Sequence, residues 1–372
     1  MTRKAAFIYS DKLSSFVLPD SHPMKPIRLQ YAHDLLRDYG IFDLPEAALV
    51  EPRPVTDDEV LRFHKPEYLE YVKSVRPGDI PAFGFGPGDN PVSDGLYGAM
   101  AISAGGSMVA AELLASGGFD RAFSILGGLH HAMPGYASGF CVFNDPVLAI
   151  QELLARGMKV AYVDIDCHHG DGVQYAFYDT DAVLNISVHE SGSYLFPGTG
   201  FVNETGTGKG IGYSVNLPLH PYTGDEVYLR AFREVVPPLL EAFAPDVVVT
   251  QLGIDSYYRD PITHLGLTIQ GFAEAVSDLA DTAPKWLALG GGGYDVYAVA
   301  RAWTAAYAIM LDTQLPDAIP DSYTERHGVT TLWDHDDMSE FAPHQQKASS
   351  FADESILELQ REVFPVHGLR MA

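Results

Sequence analysis

The chain has 372 residues, 47% of them apolar, and a formal net charge of −25 at pH 7. That length and apolar share support a large core, in one big α/β domain or two ordinary ones. A surface this acidic repels phosphate backbones, which argues against direct nucleic-acid binding, and suits either solubility or the attraction of basic partners such as lysine-rich peptides.

No run of 18 or more apolar residues is found, so no membrane-spanning helix is expected. The first residues lead straight into a strand, without the apolar segment and small-residue cleavage site of a signal peptide. Two cysteines, Cys141 and Cys167, cannot build a disulfide framework, and a reducing cytoplasm is the simplest setting.

Residues 5–9 read as a first strand. Ile27, Tyr31, Leu35 and Leu36 have helical spacing over 26–39, and Gly40 is a good stop. Thr56-Asp57-Asp58-Glu59 forms a capping-box pattern, and Pro66 is placed to start another helix. Pro77-Gly78 marks a turn. The Gly- and Pro-rich stretch 80–94, which contains Gly88-Asp89-Asn90-Pro91, reads as a long loop of the kind that often carries function. A small-residue-rich helix over 96–115 and a strand over 122–126 follow, then Gly127-Gly128-Leu129-His130-His131. A helix opens at Asn144-Asp145-Pro146, with Asn or Asp as cap and Pro near its first position.

The run 159–165, Lys-Val-Ala-Tyr-Val-Asp-Ile, has the composition of a buried strand. Its alternation places Asp164, Asp166 and His168 on one side. Gly170 and Gly172 break the strand, and 173–178 reads as the next helix. Further strands are expected at 183–188, 213–217, 247–252 and 286–289, with helical patterns at 226–244, 269–282 and 296–310. This alternation argues for an α/β fold built on a single open, mainly parallel sheet with helices on both faces. From residue 312 the character changes, with 12 Asp and Glu against four Lys and Arg, and no clear strand. The expectation is a main domain over 1–311 and an acidic extension over 312–372, packed on it or partly mobile beside it. No internal repeat or low-complexity tract is present.

Polar clusters fall at the ends of several predicted strands: His130-His131, the stretch from Asp164 to Asp171, Asp255, and Tyr294 after a run of glycines. Strand ends are where an open parallel sheet gathers an active site from distant sequence. Asp166, His168 and Asp255 supply one imidazole and two carboxylates, a set that suits catalytic Zn²⁺ with an open position, or Fe²⁺ or another first-row metal. Such an ion acidifies a water and polarises a carbonyl. His130 and His131 are then free for proton transfer, and Asp164 and Asp171 are spare carboxylates to orient them. Each cluster alone has an ordinary explanation as loop, cap or turn. Their joint occurrence points to chemistry.

At this point the chain resembles the zinc-dependent histone deacetylase family of the arginase–deacetylase fold, in the class I-like branch that includes acetoin-utilisation-type deacetylases. The resemblance rests on His22-Pro-Met-Lys-Pro-Ile-Arg28, Gly127-Gly-Leu-His-His131, Ala137-Ser-Gly-Phe-Cys141, Asp164-Ile-Asp-Cys-His-His-Gly-Asp171, Phe196-Pro-Gly-Thr-Gly200, Gln251-Leu-Gly-Ile-Asp255 and Gly290-Gly-Gly-Gly-Tyr294, in order over roughly 1–311. It implies that Asp166, His168 and Asp255 are the metal ligands and that His131 is the general base, with His130 as its electrostatic or acid partner. Asp164 and Asp171 stand behind His130 and His131, and Tyr294 is the phenol that stabilises the oxyanion. His169 is expected to point away from the metal.

By the same resemblance, Gly139, Phe140 and Phe196 wall a narrow tube for the lysine stem, with Leu267 near its rim. Asp89 is the rim carboxylate that accepts peptide N–H groups, and Arg28 lies in the cavity beneath the metal. Structural K⁺ is implied at Asp164, Ser187 and the backbone oxygens of Asp166, His168 and Val188, and again around Phe177, Thr180, Val183 and Tyr213. Val142-Phe143 and Met133-Pro134-Gly135 depart from common family patterns near the cavity and bear on substrate preference.

The expected reaction is hydrolysis of Nε-acetyl-lysine in a protein or peptide, releasing acetate, with no membrane partner. Deacetylation of a small acetylated amine such as an acetylpolyamine, and an acyl-lysine binding module with an inactive centre, are the alternatives. A two-Mn²⁺ ureohydrolase would need further carboxylates around Asp-x-His-x-Asp, whereas this chain has Asp-x-Asp-x-His.

Overall fold

The apolar runs pair into one sheet of eight parallel strands in the computed structural model, which describes residues 3–370. The strands are β1 (Ala5–Ile8), β2 (Ala47–Val50), β3 (Arg121–Ser124), β4 (Val160–Asp164), β5 (Val183–Glu190), β6 (Ser214–Leu219), β7 (Val247–Gln251) and β8 (Trp286–Leu289). Their order is β2-β1-β3-β8-β7-β4-β5-β6, with every neighbouring pair parallel. All but β2 are buried throughout, as their near-continuous apolar runs require in a sheet covered on both faces. β2 was not anticipated. It is a short edge strand with Leu49 52% exposed, so no buried face marks it in the sequence.

The sheet order positions the site. β3, β8, β7 and β4 are consecutive in space, and the segments leaving their carboxyl ends carry His130-His131, Tyr294, Asp255 and Asp166-His168 respectively. Four sequence-distant clusters therefore meet at one edge of the sheet, where ligands bind in this architecture.

The helices Ile27–Asp38, Leu96–Ala115, Asp145–Ala155, Asp225–Phe243, Ile269–Thr282 and Val296–Met310 stand close to the expected spans. The capping box at Thr56 and Glu59 is formed. Leu96–Ala115 is long and apolar enough to cross a membrane, but its most apolar window is 67% buried inside the fold.

The acidic extension contains the helices Asp321–His327 and Ala342–Glu362, neither anticipated from the sequence. Ala348, Ala352, Ile356 and Leu359 of the longer helix belong to the same apolar cluster as Val215 and Leu217 of β6 and Phe232 of Asp225–Phe243. Ser355 Oγ donates to the Pro218 carbonyl at 3.1 Å. Half of that buried face is Ala and Ser, too weakly apolar to stand out as a helical stripe.

Because Ile356 is 3% exposed in this shared core, Ile356→Ala is expected to destabilise the whole protein by about 2–5 kcal/mol. Denaturant melts followed by far-UV and tryptophan signals should coincide. A separate early transition of the extension would contradict its place in the core.

Candidate metal centre and active site

β4 ends at Asp164, so strand alternation does not carry through to His168. Side chains build the step instead. The Asp166 N–H donates to Asp164 Oδ1 at 3.1 Å, and the His168 N–H donates to Asp166 Oδ1 at 2.9 Å. These local Asx contacts turn the backbone in a region too polar for a ladder. The following helix then begins earlier than expected, at Asp171–Phe177.

Asp166, His168 and Asp255 converge. His168 Nδ1 lies 3.1 Å from Asp166 Oδ1 and 2.9 Å from Asp255 Oδ2. One potential donor atom from each residue lies within 4.8 Å of the others, and all three residues are buried. The remaining carboxylate oxygens are occupied. Asp166 Oδ2 accepts from Gln251 Nε2 at 2.6 Å and the Gly292 N–H at 2.8 Å, and Asp255 Oδ1 accepts from the Cys167 N–H at 2.7 Å. Gly292 has to be glycine, because a Cβ there would sit 2.1 Å from Asp255 Oδ2.

Burial opposes charge on Asp166, but His130 and His168 outweigh it and hold the carboxyl well below its usual range. Asp255 is pushed up to about 6 by burial and by the charge of Asp166. Two desolvated carboxylates facing one imidazole nitrogen fit a divalent first-row cation, whose charge relieves their repulsion.

The two adjacent histidines are held in opposite states. His130 Nδ1 is 2.7 Å from Asp164 Oδ2, His131 Nδ1 is 2.7 Å from Asp171 Oδ1, and the two Nε2 atoms are 3.0 Å apart. Burial disfavours charge on His130, but Asp164 and Asp166 override it and lift the imidazole to about 9. Burial and the neighbouring His130 push His131 down to about 4. The network is satisfied with His130 as an imidazolium and His131 neutral, its Nδ1–H donating to Asp171 and its Nε2 lone pair accepting the His130 Nε2–H.

Tyr294 lines the same recess as His130, His131, Asp166 and His168. Burial and the Asp255 and Asp166 charges keep its phenol well above the usual range, hence protonated. Phe196 packs edge-on to His131 with ring centroids 5.0 Å apart, and Phe140 to Tyr294 at 5.7 Å. Gly139 takes a left-handed φ of 51°, and a Cβ there would lie 2.4 Å from the His131 ring. The wall residues thus approach the histidine only because Gly139 has no side chain.

Arg28 is 5% exposed and donates to the Gly293 and Gly291 carbonyls at 2.7 and 2.6 Å. It therefore ties down the glycine loop before Tyr294 and also lines a mainly apolar cavity that shares Met24 and Leu129 with the recess. Asp89 is exposed on the loop 80–94, where its carbonyl lies 3.1 Å from His22 Nε2.

His169 points away from the metal set, with Nδ1 2.8 Å from Thr199 Oγ1 and Nε2 3.2 Å from Gln174 Oε1. Leu267 is not at the rim. The Tyr257–Leu267 bridge folds that segment back on itself, and Leu267 is 1% exposed within the core. Ile262 and Tyr258 are the half-buried residues of the segment with apolar surface.

Asp164 and Ser187 are register partners on β4 and β5. Val188 lies next along β5, and the Tyr213 carbonyl accepts from the Asn185 N–H at 2.8 Å. Phe177 ends its helix, the Thr180 N–H donates to the Phe177 carbonyl at 3.4 Å, and Val183 opens β5.

Several supporting residues escaped sequence reasoning. Gln251 holds Asp166 as described. Asp145, read as a helix cap, accepts the Gly128 and Leu129 N–H groups at 2.9 Å each and so fixes the backbone ahead of His130. Asn144 caps its helix and also donates to the His130 and Ala132 carbonyls at 3.2 and 3.0 Å. Asp260 Oδ2 accepts the Tyr294 N–H at 2.9 Å. Their spacing to the groups they serve is long-range, and the sequence carries no local signal of it.

A histone deacetylase domain model matches residues 22–310. The acetoin utilization protein AcuC of Bacillus subtilis is 39% identical over 334 residues, 86% of each chain. Human histone deacetylase 1 is 40% identical over 333 residues, 88% of this chain and 68% of that one. The crystal structure of an HDAC homologue from Aquifex aeolicus superposes with a TM-score of 0.82 at 31% identity, covering 93% of this chain and all of the other. An HDAC homologue complexed with SAHA aligns with the same score. The chain belongs to the histone deacetylase family, as an acetoin-utilisation-type deacetylase on the arginase–deacetylase fold.

Proposed function

We propose that the protein hydrolyses the acetyl amide of Nε-acetyl-lysine in proteins or peptides, with Zn²⁺ held by Asp166, His168 and Asp255, Fe²⁺ being the alternative ion. The observation that carries the reading is the meeting of this buried donor set with a neutral His131 and a protonated Tyr294 in one recess. When bound, the ion polarises the amide carbonyl and acidifies a water.

The protein's own groups do the rest. His131 Nε2 gives up the His130 N–H and takes the proton of the attacking water as the water oxygen bonds to the carbonyl carbon. Asp171, on the far side of the ring, stabilises the imidazolium formed. Tyr294 donates its hydroxyl proton in a hydrogen bond to the developing oxyanion, and the charged His130 adds a favourable field. The proton held on the histidine pair then passes to the leaving amine as the C–N bond breaks, giving acetate and lysine. Phe140, Phe196 and Gly139 enclose the apolar lysine stem, and Asp89 accepts backbone N–H groups of the peptide at the mouth.

K⁺ is proposed beside Asp164 and Ser187, with the backbone oxygens of Asp166, His168 and Val188, and at a second site around Phe177, Thr180, Val183 and Tyr213. Asp164 supports the first. Burial raises its pKa, so a neighbouring cation favours its charged form. A cytoplasmic location is proposed from Cys141 and Cys167, both free and buried.

Tyr294→Phe and His131→Ala are each expected to lower kcat on acetyl-lysine peptides by ~10² or more, the usual scale for losing an oxyanion donor or a general base. Wild-type turnover in either variant contradicts these roles. Dialysis against a chelator should abolish activity and stoichiometric Zn²⁺ or Fe²⁺ should restore it; a chelated protein that keeps full activity has no catalytic metal. Side-by-side kinetics on acetyl-lysine peptides and acetylspermidine test the substrate class, and a higher kcat/KM on the polyamine reassigns the protein to small amines.

A further inference from the structure

Between the metal-set residue Asp255 and the helix Ile269–Thr282 lies a segment with no helix or strand of its own. It carries two links to the chemistry, Asp255 itself and Asp260, which holds the Tyr294 N–H. Irregular segments are mobile unless contacts fix them. The main domain holds its middle, where the Gly266 N–H donates to the Thr223 carbonyl at 2.9 Å and the His264 N–H to Glu190 Oε2 at 3.0 Å, and the acidic extension adds a second set of contacts at its two ends.

Tyr257, two residues after Asp255, is 3% exposed. Its hydroxyl donates to Asp334 Oδ1 at 3.0 Å and accepts from Arg301 Nη2 at 2.9 Å. Arg301 Nη1 donates to the same Asp334 oxygen at 2.8 Å. The other oxygen, Asp334 Oδ2, accepts the Ile269 N–H at 2.8 Å, at the far end of the segment. Gln270 pairs with the Asp334 backbone in both directions, at 2.6 and 2.9 Å. Two residues on, Asp336 accepts from the Tyr258 hydroxyl and from Arg259 Nη2. Asp334 and Arg301 are each 8% exposed, so the ion pair at the centre is largely shielded from water and salt.

We propose that Asp334 is a positioning residue for the deacetylase reaction: through Tyr257 and Ile269 it clamps both ends of the segment that places Asp255 and, through Asp260, Tyr294. Asp334 lies beyond residues 22–310, the part of the chain matched by the family domain. The extension thus completes the active site without touching substrate. This rests on the reading of Asp166, His168 and Asp255 as metal ligands.

The test uses the full-length protein with Tyr257→Phe, Asp334→Ala and Asp334→Asn. Kinetics on an acetyl-lysine peptide, Co²⁺ affinity by visible absorption, and thermal melts are measured together. Tyr257→Phe keeps the ring and the Arg301–Asp334 pair, and removes only the link to the segment. It should lower kcat and Co²⁺ affinity by roughly 3–10-fold with KM within about twofold, as displacement of a catalytic group does. Asp334→Ala should lower both by ~10-fold or more, and Asp334→Asn, which keeps one acceptor oxygen, should recover part of the loss.

Wild-type kcat and Co²⁺ affinity in both Tyr257→Phe and Asp334→Ala, with only the melting temperature lowered, would overturn the proposal and leave a purely structural contact. If the wild type binds Co²⁺ but does not hydrolyse acetyl-lysine, the substrate reading fails and the Co²⁺ affinities still decide the clamp. A wild type that neither binds Co²⁺ nor hydrolyses the peptide overturns both.

Discussion

Two carboxylates, Asp166 and Asp255, are buried against one nitrogen of His168, and the rest of the site is arranged around that repulsion. A protein interior does not tolerate such a pair unless hydrogen-bond donors and a cation offset it. The donors are visible in Gln251 and in the Gly292 and Cys167 N–H groups, each spent on an oxygen that does not face the shared centre. The oxygens left over face inward. The glycine run before Tyr294 follows from the same constraint, since it allows backbone to approach carboxylates that a side chain would displace.

That buried negative charge also divides the labour of the two histidines. His130 lies nearer the carboxylates, with Nε2 4.0 Å from Asp166 Oδ1 and Nδ1 on Asp164, and is charged for that reason. His131 sits one residue further along, against Phe196 and Gly139, and feels burial and the His130 charge more than its own partner Asp171. Neighbours in sequence with the same side chain thus have different proton affinities. The separation of an acid-like and a base-like group needs no difference in residue type.

The fold and the core of the site were legible because their signals are local. Each long strand is an apolar run, and each cluster of the site sits within a few residues of a strand end, so a parallel topology was enough to bring them together. Other features were not legible. Asp166 and His168 were placed on one side by an alternation that stops at Asp164; hydrogen bonds between side chain and backbone do that work. Leu267 turns inward because its segment pairs with Tyr257, a contact that no apolar pattern encodes. The helix Ala342–Glu362 buries Ala348 and Ala352, whose small side chains give little contrast with a polar face.

The Asp334 contacts follow from the same limit. Ligands, bases and walls leave motifs in a sequence, because their chemistry restricts residue type at fixed spacing. What keeps an irregular segment still leaves none, since any residue able to accept two or three hydrogen bonds from the right direction serves. Such residues come from wherever the chain is free to reach, which here is the extension beyond residue 311. An active site gathered at strand ends inherits mobile connections, and a buried charge such as Asp334 on the segment after Asp255 is a compact way to hold them: one carboxylate ties a tyrosine hydroxyl, a guanidinium and a helix N-terminus to a single point.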